Sequence, residues 1–343
     1  MNSFEWTNAS TITDAVDAGS VTVAEAMTTQ SGRPSSDSTI LKAGGIDLLD
    51  LMKEGLLTPR RVVNIREISG LEAITQENDG TVRISANVSL ARLADDALII
   101  GRYRALADAA RQSASPQIRA MATIGGNLLQ RPRCWYFRSR HHHCVRKGGT
   151  SCFAFAGENQ YHAIFAHNGC AIVHPSTAAT ALLAFGASVE LVGAAGANRV
   201  VRLENFFLLP ETDIQRENDL RPDEVLIAIR LPAQEKNARS AHLKQGDKEA
   251  FDWPVADVAV VLEMAPDSVC RNASIVLGAA APVPYRAQAA EIALIGKPIN
   301  DDVARQAGHA ALAGAAPLTK NAYKLPIFEA LVRRAVLAAA NQT

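Results

Sequence analysis

Apolar positions in the first third of the chain fall into two periods. Residues 40–43 form a short apolar run that stops at Gly44-Gly45. Directly after it, Ile46, Leu48, Leu49, Leu51 and Met52 recur at roughly helical spacing. This pattern predicts a strand, a glycine turn and a helix in succession. Pro59 closes the helix, and residues 61–65 read as the next strand. Runs at 71–75 and 82–88 flank Asn78-Asp79-Gly80, a turn signal that predicts a hairpin. Residues 90–97 and 102–113 are Ala-rich and helical in pattern, so this third reads α/β. Further on, the pattern predicts a helix over 177–185 and strands over 188–192, 199–203 and 225–231. Pro232 ends the last strand, and polar residues 234–239 fit a linker. Strands at 255–263 and 273–281 then precede helices at 287–295, 301–313 and 321–339, which predicts a small α+β C-terminal domain.

One segment breaks both periods. Residues 130–171 are polar and aperiodic, and they hold Cys134, Cys144, Cys152 and Cys170 together with His141, His142 and His143. The chain has five cysteines, and only Cys270 lies outside this segment, on a strand pattern that suits a buried structural thiol. Intervals of nine, seven and seventeen residues separate the four clustered cysteines. Those gaps match neither the close pairs of common zinc sites nor the ferredoxin runs. Spacing alone leaves a [4Fe–4S] cluster, a zinc site and unpaired thiols equally open. The segment reads as an inserted loop held by something other than an apolar core.

Composition narrows the class. With 343 residues, 48% of them hydrophobic, 20% charged and a formal net charge of zero, the chain suits a globular protein of two or three domains. No charge excess points to a nucleic-acid partner. No run approaches the length of a membrane span. The first residues lack the basic and apolar regions of a secretory signal, which suggests a cytoplasmic protein by its own sequence. Co-export to the periplasm with a signal-bearing partner is compatible with this.

Two glycine loops carry candidate chemistry. Lys42-Ala43-Gly44-Gly45-Ile46-Asp47-Leu48 follows a strand and opens a helix. Missing Cβ atoms let backbone N–H groups approach phosphate, and a helix N-terminus favours the anion. Ala122-Thr123-Ile124-Gly125-Gly126-Asn127-Leu128 offers a second such loop, with a hydroxyl and an amide. Neither matches the G-x-G-x-x-G fingerprint of a Rossmann domain.

In these two loops, in that order, the chain resembles the FAD-binding subunits of the xanthine dehydrogenase and molybdenum hydroxylase family. The first loop is similar to that family's A-G-G-T-[ND]-L segment, and Thr123-Ile124-Gly125-Gly126-Asn127 to its second flavin loop. The resemblance runs over nearly the whole chain, including the strand around 223–232. It implies an α+β protein: a two-lobed FAD-binding domain at 1–235 (lobes at about 1–65 and 66–235, with the cysteine insert at 130–171), then a C-terminal flavoprotein domain at 236–343. By position, Leu41, Ala43, Gly44, Gly45, Ile46, Asp47 and Leu48 would line the diphosphate side. Thr123, Gly126 and Asn127 would lie on the second loop. Thr177 stands where the family usually has an Asp facing the ribityl chain, and Ile46 where it usually has Thr. Leu226 and Lys244 match positions near the isoalloxazine ring, where a cation would stabilise reduced flavin.

The insert resembles that of one branch, the flavin subunits of bacterial periplasmic-type aldehyde oxidoreductases. The similarity lies in the run from Asn127 to Cys134-Trp135-Tyr136-Phe137 and in the Cys170…His174-Pro175-Ser176 exit. It implies that Cys134, Cys144, Cys152 and Cys170 ligate one [4Fe–4S] cluster, with the three adjacent histidines solvated or behind the ligands. No nucleophile–base constellation stands out, as expected where cofactors carry the chemistry. The resemblance implies a molybdopterin-binding large subunit and a [2Fe–2S] small subunit as partners, with electrons leaving through FAD to an external acceptor. A self-contained FAD oxidase or dehydrogenase, and a structural subunit that has lost flavin, are the rival readings.

Overall fold

The computed structural model describes residues 1–28, 37–248, 251–266 and 268–342. The chain begins with β1 (Glu5–Asn8), α1 (Ile12–Ala18), α2 (Val23–Ala26), β2 (Thr39–Lys42), α3 (Ile46–Lys53) and β3 (Arg61–Asn64). The strands form a parallel sheet in the order β1-β3-β2. Parallel neighbours need a crossover, and α3 supplies it between β2 and β3. Capping boxes start α1 (Thr11 with Asp14) and α2 (Thr22 with Glu25). Both short helices lie outside the predicted pattern, although Thr-x-x-Asp and Thr-x-x-Glu are start signals.

The chain continues with β4 (Ile74–Gln76), β5 (Val82–Ser85), α4 (Leu90–Asp95), α5 (Ala97–Arg102), α6 (Arg104–Arg111), α7 (Pro116–Met121) and α8 (Ile124–Leu128). After the cysteine segment come α9 (Thr177–Ala184), β6 (Ser188–Val192), β7 (Asn198–Arg202), α10 (Leu203–Phe206) and β8 (Val225–Leu231). The five strands make an antiparallel sheet, β4-β5-β8-β6-β7, whose inner face (Val82, Ile84, Val189, Ile229) packs with Leu93, Leu106 and Leu182 of the helices. The predicted hairpin is β4–β5. The second glycine loop proves to be helical: Thr123 caps α8, so Ile124 to Asn127 form its first turn.

The last part holds β9 (Ala238–Gln245), β10 (Ala256–Met264), β11 (Cys270–Gly278), β12 (Tyr285–Arg286), α11 (Gln288–Leu294), α12 (Asp301–Ala310) and α13 (Lys324–Ala340). Its antiparallel sheet, β12-β11-β10-β9, buries Val258, Val260, Ile275 and Leu277 with Phe328 and Val332 of α13. Strand β9 begins inside the segment expected to be linker. Its sequence is polar, but Ala241 pairs with Val260, and Ser240 Oγ accepts from Ala105 N at 3.1 Å. Sheet pairing and α6 impose the strand where local propensity does not. A Cβ at Gly278 would overlap Asp257 and Thr180, so this glycine lets α9 rest on β10 and β11. The architecture is mixed α+β, as the sequence implies.

His174 helps join the parts. Its ring packs on Phe207 at 4.4 Å between centroids, its Nδ1 accepts from Ser176 N at 3.3 Å, and its own N donates to Ala281 O at 2.9 Å. Nε2 is buried without a hydrogen-bond partner. Burial pushes this imidazole down from 6.5 to about 3. Below pH 6.5 the unfolded chain binds a proton that the folded chain refuses. Stability is therefore lost as pH falls from 6.5 towards 3, at about 1.4 kcal/mol per pH unit from this group. In urea titrations at stepped pH, His174→Gln should show a shallower loss than the parent between pH 6 and 4. Parallel curves would contradict this account.

Candidate functional site

A cleft of about 600 Å³ opens between the parallel sheet and the five-stranded sheet, within the usual size of a cofactor site. All seven sequence-predicted positions from Leu41 to Leu48 line it, as do Thr123, Gly126, Asn127, Thr177, Leu226 and Lys244. Residues from distant parts of the sequence thus converge on one space.

The first loop is shaped by its glycines. Gly45 adopts φ +78° and caps α3, with no side chain to occupy the helix end. Gly44 lies against the second loop, where a Cβ would overlap the Met121 carbonyl. The two loops are therefore in backbone contact, and the first turn of α3 borders the cleft. N–H groups at such an end are an anion site.

The second loop is held by a run of caps. Thr123 Oγ1 accepts from Gly126 N at 3.1 Å. Asn127 Oδ1 accepts from Ser176 Oγ, which itself caps α9 by accepting from Ala179 N at 3.0 Å. Thr177 reaches the cleft wall, but its hydroxyl is engaged with Ser113 Oγ at 2.8 Å and Ala109 O at 3.3 Å. At Leu226 the β6–β8 register shifts, and such irregularities re-aim side chains beside sites. Lys244 Nζ donates to Gln112 O at 2.7 Å and Asp252 O at 3.0 Å. Burial lowers its pKa, partly offset by Asp257 and Asp252.

Asp47 behaves differently from its neighbours. Its backbone lines the cleft, but its carboxylate faces the cysteine segment. It accepts from Arg131 N at 2.8 Å and pairs with Arg133 Nη1 and Arg138 Nη2, each at 2.6 Å. The sequence pattern gives no sign of this tether, nor of its continuation. Arg131 and Arg146, 3% and 0% exposed, both pair with the carboxylate of Glu217, itself 5% exposed.

Inside the segment the four thiols interact electrostatically. Cys152 donates a hydrogen bond to Cys170, and Cys134 and Cys144 feel the charge on Cys170. Burial pushes the Cys134 thiol up to about 12 and raises Cys144 as well. The hydrogen bond to Cys170 and burial raise Cys152. Cys170 is lowered to about 6 by the Cys152 hydrogen bond and by Arg146. All five cysteines are free. Among the described residues no three His, Cys, Asp or Glu side chains are arranged to hold a single metal ion.

His141 and His143 are exposed, and His142 Nδ1 meets Ser139 Oγ at 2.9 Å. The histidine against one of the four cysteines is instead His162, with Nε2 at 3.2 Å from Cys134 Sγ. It lies far from the histidine run and carries no local signal. Cys270 is fully buried and donates to Asn272 O.

A glycine-walled cleft between a parallel βαβ layer and an antiparallel sheet, without the Rossmann fingerprint, defines a mixed α+β protein with room for a large anionic cofactor. The sequence profile for the FAD binding domain in molybdopterin dehydrogenase matches residues 2–234, and that for the CO dehydrogenase flavoprotein C-terminal domain matches 241–339. The chain belongs to this family: it is an FAD-binding, electron-transferring subunit of the molybdenum-hydroxylase type of oxidoreductase. It is 32% identical over 285 residues to PaoB, the FAD-binding subunit of aldehyde oxidoreductase in Escherichia coli K12, covering 82% of this chain and 86% of that one. It is 29% identical over 312 residues to the carbon monoxide dehydrogenase medium chain of Hydrogenophaga pseudoflava, covering 90% and 91%. A solved carbon monoxide dehydrogenase from that organism superposes with a TM-score of 0.73 at 26% identity, covering 98% of this chain and 97% of that one.

Two substitutions probe the site. Gly44→Ala forces the loops apart and should cost roughly 1–3 kcal/mol, with a fall in the flavin-to-protein absorbance ratio. A full flavin complement would refute the close-approach role. Asp47→Ala releases three donors of the insert, and limited proteolysis within residues 130–171 should speed up severalfold.

Proposed function

We propose that this chain carries a [4Fe–4S] cluster on Cys134, Cys144, Cys152 and Cys170 beside its FAD, and serves an aldehyde oxidoreductase. In this reading a molybdopterin-binding large subunit oxidises the substrate, and a [2Fe–2S] small subunit delivers the electrons. They leave through FAD to an external acceptor. The likeness to PaoB, named as an aldehyde oxidoreductase subunit, supports the substrate class. The relatives' names as FAD-binding subunits and medium chains support the multi-subunit setting.

The observation that carries the cluster is the donor set. Two buried thiols, Cys144 and Cys170, and two half-buried ones, Cys134 and Cys152, gather around Cys170 beside the Arg146 guanidinium. A tetrahedral zinc site, with Zn–S near 2.3 Å, would draw its sulfurs tightly together. A cuboidal cluster spans a wider set. Two buried arginines against one buried glutamate leave a cationic surplus that suits an anionic, thiolate-ligated group.

For FAD, the first turn of α3 presents backbone donors suited to the diphosphate. Thr123, Gly126 and Asn127 form the opposite wall, and Leu226 offers an apolar surface to the ring. Lys244, anchored by two carbonyls, keeps a cation at the cleft. The flavin supplies exchange between one-electron and two-electron chemistry. The chain's own task is to hold that cofactor in place and at a suitable potential.

Metal, sulfide and flavin analysis of the native complex tests the proposal. Beyond the two iron and two sulfide of each [2Fe–2S] cluster on the small subunit, the expected result is four iron, four acid-labile sulfide and one FAD for each copy of this chain. Cys152→Ser should lose those four iron and four sulfide while retaining flavin. One zinc for each copy of this chain, with no iron beyond the small subunit's share, would sink the cluster reading.

A further inference from the structure

The three-residue 3₁₀ turn Val145–Lys147 directly follows Cys144 and closes on Gly148, at φ +90°. A Cβ at Gly149 would overlap the His143 carbonyl, so the chain is tightly folded here. This turn drives Arg146 inward, where its side chain is 0% exposed. Nη1 donates to Glu217 Oε1 at 2.7 Å and to Arg216 O at 3.3 Å. Nε and Nη2 are buried and have no hydrogen-bond partner of ordinary geometry in the protein. The guanidinium nevertheless lies close enough to Cys170 to interact with its sulfur. Buried donors are rarely left unmade, because each carries its full desolvation cost. A rigid planar fork with one edge pinned and the other open is preorganised for an anion.

We propose that Arg146 is a positioning residue for the iron–sulfur site: its open edge donates hydrogen bonds to the Cys170 sulfur or an adjoining sulfide, and its charge raises the cluster's reduction potential. The inference rests on the cluster reading above. Hydrogen bonds and positive charge at the sulfurs stabilise the more negative, reduced state. Glu217 and Arg216 fix the guanidinium from behind, so its direction is set before any cluster is bound. Lys147, by contrast, spends its ammonium on Ser139 O at 2.6 Å and Tyr136 O at 3.5 Å, and is tied to carbonyls rather than left open.

The test is a potentiometric titration of the intact complex, with the reduced cluster followed by electron paramagnetic resonance. Iron and sulfide content are measured on the same samples. In Arg146→Met, with the cluster retained, the reduced-to-oxidised ratio at the parent's midpoint should fall at least tenfold, equivalent to 59 mV for a one-electron couple. Arg146→Lys should lie between the two, and the flavin midpoint should stay in place. An unchanged cluster midpoint in Arg146→Met overturns the proposal. Should Arg146→Met fail to fold, Arg146→Lys decides: a lowered midpoint supports the role and an unchanged one overturns it. A parent complex whose iron and sulfide do not exceed the share of the small subunit's [2Fe–2S] centres removes the cluster reading itself, before any variant is compared.

Discussion

The carboxylate of Glu217 sits between two buried guanidiniums, and the position of the cysteine segment depends on it. Arg131 comes from the entry to that segment, Arg146 from its middle, and Glu217 from the stretch leading to β8. Burying three charges is expensive in isolation. The arrangement holds because each fork has a carboxylate oxygen within 3 Å and because Gln215 O and Arg216 O accept further N–H bonds. Such triads contribute little net stability, but they define one geometry. A segment with almost no regular structure has particular need of that. Among the described residues Phe137, Cys144 and Cys134 join it to the core around α3, and Ile164 and Phe165 to the core of the C-terminal sheet.

Asp47 extends the same logic to the cleft. Its backbone belongs to the glycine loop, and its carboxylate takes donors from Arg131, Arg133 and Arg138. A continuous run of polar contacts therefore connects the first turn of α3, through Arg131 and Glu217, to Arg146 and the thiol pocket. Displacement of the insert would be felt at the loop, and the reverse. The cleft and the cysteine segment are therefore held together by one set of polar contacts.

Much of the fold was legible because its elements follow their own periodicity. The β2–α3–β3 unit, β8 and the C-terminal helices announce themselves by apolar spacing and by Gly or Pro at their ends. Strand β9 did not, since Arg239, Ser240, His242 and Lys244 make it polar and its stability comes from β10 and α6. The second glycine loop was legible as a site but misread as irregular. Two adjacent glycines argue against helix, and the Thr123 cap together with packing of Gly125 against Ala86 overrides them. The glycine-loop positions that line the cleft were legible as loops of that chemistry. The surroundings of the thiols were not: His162 meets Cys134, and Glu217 meets the Arg146 that approaches Cys170, only through long-range folding, and no spacing rule encodes such a meeting.

Charge balance shapes the pocket around the four cysteines. With Glu217 neutralising one of two buried arginines, the pocket retains positive charge beside Cys170. Neutral thiols would leave that charge uncompensated, and an aliphatic core would do so more severely. The lowered Cys170 and the raised Cys134 and Cys152 describe a pocket that tolerates one anion but resists four. Only a cation seated among the sulfurs would let all four ionise together, since metal binding drives thiols to thiolates. The pocket thus sets one guanidinium beside Cys170, while burial and the charge on Cys170 hold Cys134 and Cys152 in their neutral form.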